Sequence, residues 1–498
     1  MAQEYKALKE AFVSNLTGSS VWEVYEIGFV PPAAVLLWSV LQSRHAFFKP
    51  YTPSSYLVDF LLNCLAILFA TTIYSSAPIL LSALLVAPAI TSYAIGPTQR
   101  QSPGGSRAVK PASEPSDLAK NDLRKDSLPI KPFVTSWRGA MIVVTCAAIL
   151  AVDFRIFPRR FAKVENWGTS LMDMGVGSFV FTAGVVGARP ILKQRISPKP
   201  QSIVSQFIAS LRHALPLWVL GFVRLYSVKK VNYAEHVTEY GVHWNFFFTL
   251  ALLPPFVALF QAIFSSEVSF TLISLLLATA YEIALDFTEL KKYILTAPRV
   301  DLLSQNREGV FSFFGYLAIF LAGQATGICV LPRETSQPSG RSIFDRLRGS
   351  LILTKLVQRS AIWTLMFVLT TSYYAFSLDV SRRLVNLPYV LWVISFNTLQ
   401  LTLFCAVEIA LFPGVYKRGD QVSETRDCKE ATSGVLQSFN RNGLALFLLA
   451  NLLTGLVNLT IPTIHVPHGQ AMGILVIYMA VLCAAALGLD HWNISLKL

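Results

Sequence analysis

Apolar residues in this chain come in unbroken runs, not in the narrow stripes of amphipathic elements. Each run is roughly 18–22 residues long, which is what an α-helix needs to cross about 30 Å of hydrocarbon. The pattern predicts thirteen spans, near residues 24–43, 56–74, 78–96, 136–154, 171–188, 201–221, 242–264, 268–286, 310–330, 361–378, 387–410, 441–459 and 470–488. Short alternating segments, which a transmembrane β-barrel would need, do not dominate anywhere. The expected fold class is all-α: a polytopic integral membrane helical bundle forming a single domain over residues 1–498. Ahead of the first span, Leu8, Ala11 and Phe12 share one helical face, which predicts a short helix lying at the interface. Residues 97–132 break the pattern with "QRQSPGGSRAVKPASEPSDLAKNDLRKD", a polar, Pro/Gly/Ser-rich stretch expected to be a disordered cytosolic linker. No internal repeat is visible, which weakens the case for an inverted-repeat transporter.

Composition agrees with the pattern. Charged residues make up 14% of the 498, hydrophobic residues 53%, and mean hydropathy is +0.50; soluble domains carry about 25% charged residues. The net charge of +13 would suit nucleic acid, but no basic stripe with interleaved aromatics exists, so no nucleic-acid partner is expected. Basic loops on the cytosolic face explain the charge. An odd number of spans puts the termini on opposite sides. A lumenal N-terminus and cytosolic C-terminus place more Lys and Arg in the cytosol, including the 331–360 loop, where "GRSIFDRLRGS" reads as an amphipathic surface turn. The 155–170 connection is then lumenal. The six cysteines contain no CxxC pair and indicate neither a disulfide framework nor a zinc site. Asn15-Leu16-Thr17 is a glycosylation sequon.

The segment "AVDFRIFPRRFAKVENWGTSLMDMGVG", residues 151–177, carries more charge than a connector between spans requires: Asp153, Arg155, Arg159, Arg160, Lys163, Glu165 and Asp173. On one continuous helix Asp153 and Lys163 would lie about 15 Å apart along the axis and could not touch. Pro158 breaks such a helix, so a turn there would let Lys163 fold back toward Asp153 as an acid–base pair. The competing reading is a snorkelling juxtamembrane cluster. Other polar positions carry the same ambiguity. Asn451, Thr454, Gly455 and Asn458 make a polar stripe in one span, suited either to packing or to lining a cavity. His243 opens an apolar run, the setting in which membrane-bound O-acyltransferases use a catalytic histidine, but no other motif of that family is evident. Glu282, Asp286 and Glu289 share a helix end, where they suit either a secondary transporter or lipid scramblase, or ion pairing with Lys291, Arg299 or Arg307. Asp379 with Arg382 and Arg383 reads as a helix-end charge cluster. His465 and His468 lack further ligands at metal spacing, so no metal is expected.

Five stretches carry a family resemblance: "KEAFVSNLTGSS" (9–20), "VDFRIFPRRFAKVENWGTSLMDMGVGSFVF" (152–181), "GVHWNFFFTLALL" (241–253), "NREGVFSFFGYLAIFLAGQATG" (306–327) and "NRNGLALFLLANLLTGLVNLT" (440–460). The chain resembles, through nearly its whole length, the inositol acyltransferases of GPI-anchor biosynthesis, called PIG-W in animals and Gwt in fungi. The resemblance implies a multi-pass protein of the endoplasmic reticulum. It implies transfer of a fatty acyl chain, usually palmitoyl, from acyl-CoA as co-substrate to the inositol of glucosaminyl-phosphatidylinositol, with no further cofactor. It also implies that Asp153 and Lys163 match the family's essential aspartate and lysine. In this reading Asp153 is the general base and Lys163 stabilises developing charge. Arg155, Arg159 and Arg160 are candidate phosphate contacts. Trp167, His243, Asn245, Asn451 and Asn458, within the matching stretches, complete the candidate substrate contacts. No GxSxG elbow is present, which favours direct transfer over an acyl-enzyme.

Overall fold

In hydrocarbon every backbone N–H and C=O must find its partner within the protein, and this chain meets that constraint with helices. The computed structural model describes all residues except 1, 97–127, 197–202, 231–236, 264–268, 334–341, 373, 417–420 and 497–498. Most of the expected linker therefore lies outside the described residues. The principal helices are α1 (Ala2–Val13), α2 (Val21–His45), α3 (Pro53–Thr71), α4 (Pro78–Ile95), α5 (Pro132–Ala151), α6 (Leu171–Ile196), α7 (Ile203–Lys230), α8 (Phe246–Ile263), α9 (Phe270–Phe287), α10 (Arg307–Val330), α11 (Leu351–Thr371), α12 (Leu387–Leu411), α13 (Gly434–Arg441), α14 (Gly443–Thr460) and α15 (His468–His491).

Among the described residues, twelve helices are long and apolar enough to span a membrane. The seventh expected span, 242–264, corresponds to α8, whose described apolar part, Phe246–Phe260, is shorter. The tenth span was expected at 361–378 and is found at Leu351–Thr371 instead. Ser350 caps its N-terminus, and Lys355 and Arg359 sit within it, where the apolar pattern had pointed past them. Sequence signals mark many helix starts. Pro53, Pro78, Pro132 and Pro388 stand in first turns, where the missing N–H costs nothing. Ser20 and Glu23 form a reciprocal capping box on α2.

The bundle is layered around α2, α10 and α12, which are buried along most of their length, while α4, α7 and α14 present large apolar side chains outward. Helices approach closely where glycine removes the side chain. A Cβ on Gly184 of α6 would come within 2.2 Å of the Phe320 carbonyl oxygen of α10, and one on Gly323 of α10 within 2.3 Å of the Phe181 carbonyl oxygen. In α3 the helix widens to a π turn at Leu61–Leu65 beside the buried Asp59. Asp59 accepts hydrogen bonds from Asn63 Nδ2 (2.7 Å), Ser433 Oγ (2.7 Å), Tyr51 Oη (3.0 Å) and the Val435 N–H (3.2 Å), so it caps α13 across the bundle.

The α5–α6 connection, the start of α2 and the ends of α9 and α14 all lie at one end of the bundle, through contacts described below. The last helix, α15, finishes at the other end, where Asp490 pairs with Arg441, the last residue of α13. Helix α1 packs on the first end, so it and the last turn of α15 lie on opposite faces. Replacing Gly184 with leucine is expected to separate α6 from α10 and lower the thermal midpoint of the purified protein. Overpacking of this kind costs about 1–3 kcal/mol, and more where backbone must move. Gly175→Leu, on the same helix but with nothing within 4 Å of its Cβ position, should leave the midpoint near wild type.

Candidate functional site

The connection after α5 is tied down along its length. Helix α5 ends at Ala151, so Asp153 stands just past it. The chain turns through Pro158 into a short 3₁₀ turn, Arg159–Phe161. Arg159 holds the turn by donating from one Nη to the carbonyls of Val152 (2.7 Å), Phe157 (2.9 Å) and Phe154 (3.2 Å), with its guanidinium 3.9 Å from the Phe12 ring centre of α1. Arg160 pairs with Glu23 of α2 at 2.9 Å and donates to the Ser75 carbonyl. Residues 15–19 then lie along 165–169. Ser19 N–H meets the Thr169 carbonyl at 2.7 Å, and Glu165 accepts from the Asn15 N–H. Gly18 and Gly168 have φ of +86° and +129°, and a Cβ on either would collide with backbone of the other strand segment. On the opposite flank, Ser381 and Arg383 bind Asn166 (2.6 and 2.7 Å), and Gly168 N–H bonds the Val380 carbonyl.

Asp153 and Lys163 do not pair. Asp153 accepts from Asn458 Nδ2 of α14 at 2.6 Å, and the Asn458 Oδ1 in turn accepts from Lys9 Nζ of α1 at 2.6 Å. Burial raises the Asp153 carboxyl above its ordinary range, opposed by the Asn458 bond and by the charges of Lys9 and Arg159. Burial also lowers Arg159, to about 10, against the pull of Asp153. The cations beside Asp153 are thus Lys9 and Arg159. The sequence reading was right that Pro158 turns the chain, but the turn delivers Lys163 elsewhere.

Lys163 Nζ lies 2.5 Å from Glu239, on a short helix ahead of α8. Glu239 also meets Arg382 at 3.2 Å, and Arg382 Nε lies 2.6 Å from the buried Asp173 at the start of α6. The other Asp173 oxygen accepts from Ser170 Oγ (2.7 Å) and Val164 N–H (3.1 Å). The result is a four-member ionic chain, Lys163–Glu239–Arg382–Asp173, open to solvent chiefly at Lys163. Burial pushes the Glu239 carboxyl up, but Lys163 and Arg382 outweigh it and hold it at about 2. A second cluster lies alongside: Glu308 takes Arg299 in a two-point contact (2.6 and 3.0 Å), Arg383 at 3.0 Å and Arg307 at 3.8 Å. Asp379, Arg382 and Arg383 therefore do not form one helix-end cluster; the two arginines diverge into separate networks.

The remaining candidates divide between the site and the scaffold. Arg155 is exposed on the same loop. Trp167 stacks under the Lys291 ammonium at 5.1 Å. His243 takes Gln305 and Asn306 of the segment before α10, and Asn245 caps α8 while bonding the Gly221 carbonyl at 2.9 Å. Both are structural in this conformation. Asn451 faces outward and bonds the Phe447 carbonyl of its own helix, so only Asn458 of the polar stripe reaches Asp153. The carboxylates offered for transport are also engaged: Glu282 accepts the Leu387 N–H and caps α12, while Asp286 pairs with Lys291. Lys9, Glu239 and Arg382 were missed as site residues. The first lay in a stretch read only for its apolar face, and the others are joined to Lys163 only by tertiary folding.

Within the bundle, α2, α5, α6 and α12 border a cleft of about 540 Å³, counting its open mouth. Its walls are apolar, including Ile27, Met141, Val144, Leu171, Met174 and Phe396. Its few polar groups satisfy one another or backbone: Asn397 donates to Ser178 at 3.0 Å and Gln400 to the Gly28 carbonyl at 2.9 Å. Among the described residues no group of three or more metal-ligating side chains occurs.

A profile of the GWT1 family matches residues 5–489. The chain is 54% identical to the GPI-anchored wall transfer protein 1 of Aspergillus fumigatus, over 99% of both chains. It is 52% identical to the protein of the same name in Gibberella zeae, again over 99% of both. The Saccharomyces cerevisiae counterpart is 36% identical over 99% of each chain.

The ionic chain makes a directional prediction. Arg382→Ala leaves Asp173 and Glu239 buried without their shared cation, a loss of about 3–5 kcal/mol. Lys163→Ala removes a side chain that is 40% exposed and should cost about 0–1 kcal/mol. Thermal unfolding of the two variants tests this ordering. Because Glu239 is held below its unfolded value, its stabilisation is full above the ordinary carboxylate range, about 4.3, and is lost as pH falls toward about 2.

Proposed function

This chain belongs to the GWT1 family, and on that premise we propose that it is the inositol acyltransferase of GPI-anchor biosynthesis. It moves a fatty acyl chain, palmitoyl by preference, from acyl-CoA to an inositol hydroxyl of glucosaminyl-phosphatidylinositol. It works in the membrane of the endoplasmic reticulum, with the α5–α6 connection on the lumenal side and the chain's last helix ending toward the cytosol. The observation that carries this reading is the setting of Asp153: a buried carboxylate just past the end of a spanning helix, raised by burial, with an amide and two cations around it.

The thioester is already activated, so the protein has to align the acceptor, take its proton and stabilise a tetrahedral oxyanion. The inositol O–H gives its proton to Asp153 as its oxygen attacks the thioester carbonyl carbon. Lys9 and Arg159 supply the positive charge beside the developing oxyanion. The intermediate collapses with breakage of the C–S bond, and the leaving thiolate recovers the proton from Asp153. The apolar cleft takes the acyl chain. Lys163, exposed at the tip of its ionic chain, and Arg155 on the loop surface suit the phosphate and headgroup of the glycolipid. Lys163 in this reading acts on binding and on the loop's position, not on the reacting carbonyl.

Mass spectrometry of the glycolipid product after incubation with palmitoyl-CoA tests the proposal. Asp153→Asn should fold and lose at least about 10²-fold in turnover, the scale of a positioned general base; wild-type turnover in a folded Asp153→Asn would refute the assignment. Asn458→Ala removes a donor that favours the charged carboxylate, so the Asp153 value rises further. Activity falls where Asp153 is protonated, and the acid limb of the pH–rate profile should therefore move to higher pH in Asn458→Ala.

A further inference from the structure

Two guanidinium groups inside the bundle have no ion-pair partner among the described residues. Arg138 lies in α5 and Arg189 in α6, and the charge acting on Arg138 is Arg189, of the same sign. No carboxylate acts on either among the described residues. The Arg138 Nε is closed to solvent and has no hydrogen-bond partner. Both residues lie about 10 Å inside the ends of their helices, at the end of the bundle opposite the 152–170 connection, which joins the far ends of the same two helices.

A buried cation without a partner is costly, and a like charge acting on it makes it more so. The arginines of the Glu308 cluster and the ionic chain show how this fold treats buried guanidinium elsewhere: each is given a carboxylate or backbone carbonyls. Arg138 and Arg189 lack that provision, and planar guanidinium forks suit phosphate. Position adds a second argument. Arg138, Thr145, Ile149 and Val152 are all half-buried, and at 100° per residue they fall within about 40° of one line along α5. That line runs from the arginine pair toward Asp153, over about 20 Å of helix.

We infer that Arg138 and Arg189 form a phosphate-binding site at the end of the bundle opposite the catalytic loop, completed by a phosphate of the acyl donor or of an anionic phospholipid. The donor source rests on the acyltransferase reading above; the site itself does not. A phosphate held here would place the carrier's long arm along α5, with its reactive end directed at Asp153. It would also admit a donor from the face away from the loop.

The test uses the full chain purified in detergent, as wild type, Arg138→Gln, Arg189→Gln and Arg138→Lys, with thermal midpoints recorded for each. Free CoA binding is measured calorimetrically, and co-purifying phospholipid is extracted and identified by mass spectrometry. If the phosphate belongs to the donor, CoA affinity falls at least about tenfold in both glutamine variants, with a smaller loss in Arg138→Lys. If it belongs to a lipid, CoA affinity is unchanged while anionic phospholipid carried by the wild type is lost from the glutamine variants. Folded variants that keep both, or a wild type that holds neither, overturn the site. A raised midpoint with unchanged binding does so too, because it marks a pair that is simply buried unpaired. Should Arg138→Gln not fold, Arg189→Gln carries the test, since only Arg138 of the two has a solvent-closed nitrogen without a partner among the described residues. Wild-type acyl transfer with unchanged binding in the variants sinks the site alone; absent acyl transfer with lipid loss sinks the acylation reading alone.

Discussion

The loop end of the bundle depends on the Asp173 carboxylate. One oxygen closes the loop against the start of α6 by accepting from Ser170 and the Val164 N–H, and the other pins Arg382 from the segment before α12. Arg382 then binds Glu239, and Glu239 binds Lys163 back in the same loop. Sequence-distant segments are joined through one charge sequestered at a helix N-terminus, where the macrodipole also favours an anion. With that closure in place the loop has a fixed shape, and Asp153 at its other end is presented to α14 and α1 in one orientation.

This arrangement separates two jobs that a charged loop seems to combine. The Asp153 end is sparse: one carboxylate, one amide and two cations. The Lys163 end is dense and self-satisfied. At Asp153, burial without a direct ion pair raises the carboxyl. A scaffold needs paired charges that stay ionised, which the Glu239 chain provides. Had Lys163 met Asp153 directly, the pairing would have lowered that carboxyl instead.

The bundle was legible because hydrocarbon imposes one rule on every span, and the rule is written locally as long apolar runs. Displacement arose where charge sits inside a helix, as at Lys355 and Arg359 of α11. Asp153 stood out as a carboxylate at a span's end, and Asn458 as an amide inside one; both are anomalies against lipid. Their partnership with each other, across more than 300 residues, was not visible. Glu239 and Arg382 carried no local signal, since an ordinary loop carboxylate and a helix-flanking arginine look alike whether exposed or buried. Glu282 misled for the opposite reason. A carboxylate in a span reads as a proton or ion site, yet here it closes the N-terminus of a neighbouring helix.

The crossing of residues 15–19 over 165–169 has a consequence for how such a sequence can change. Gly18 leaves room for the Thr169 carbonyl and Gly168 for the Thr17 carbonyl, so each glycine is required by the backbone of the other segment. Neither position can acquire a side chain while its counterpart holds still, and both already occupy left-handed backbone that disfavours one. In a lineage of related chains the two glycines therefore form a single inherited unit. A substitution at one alone forces the two segments apart, and its first effect is to lift the segment bearing Lys9 away from Asp153 and Asn458.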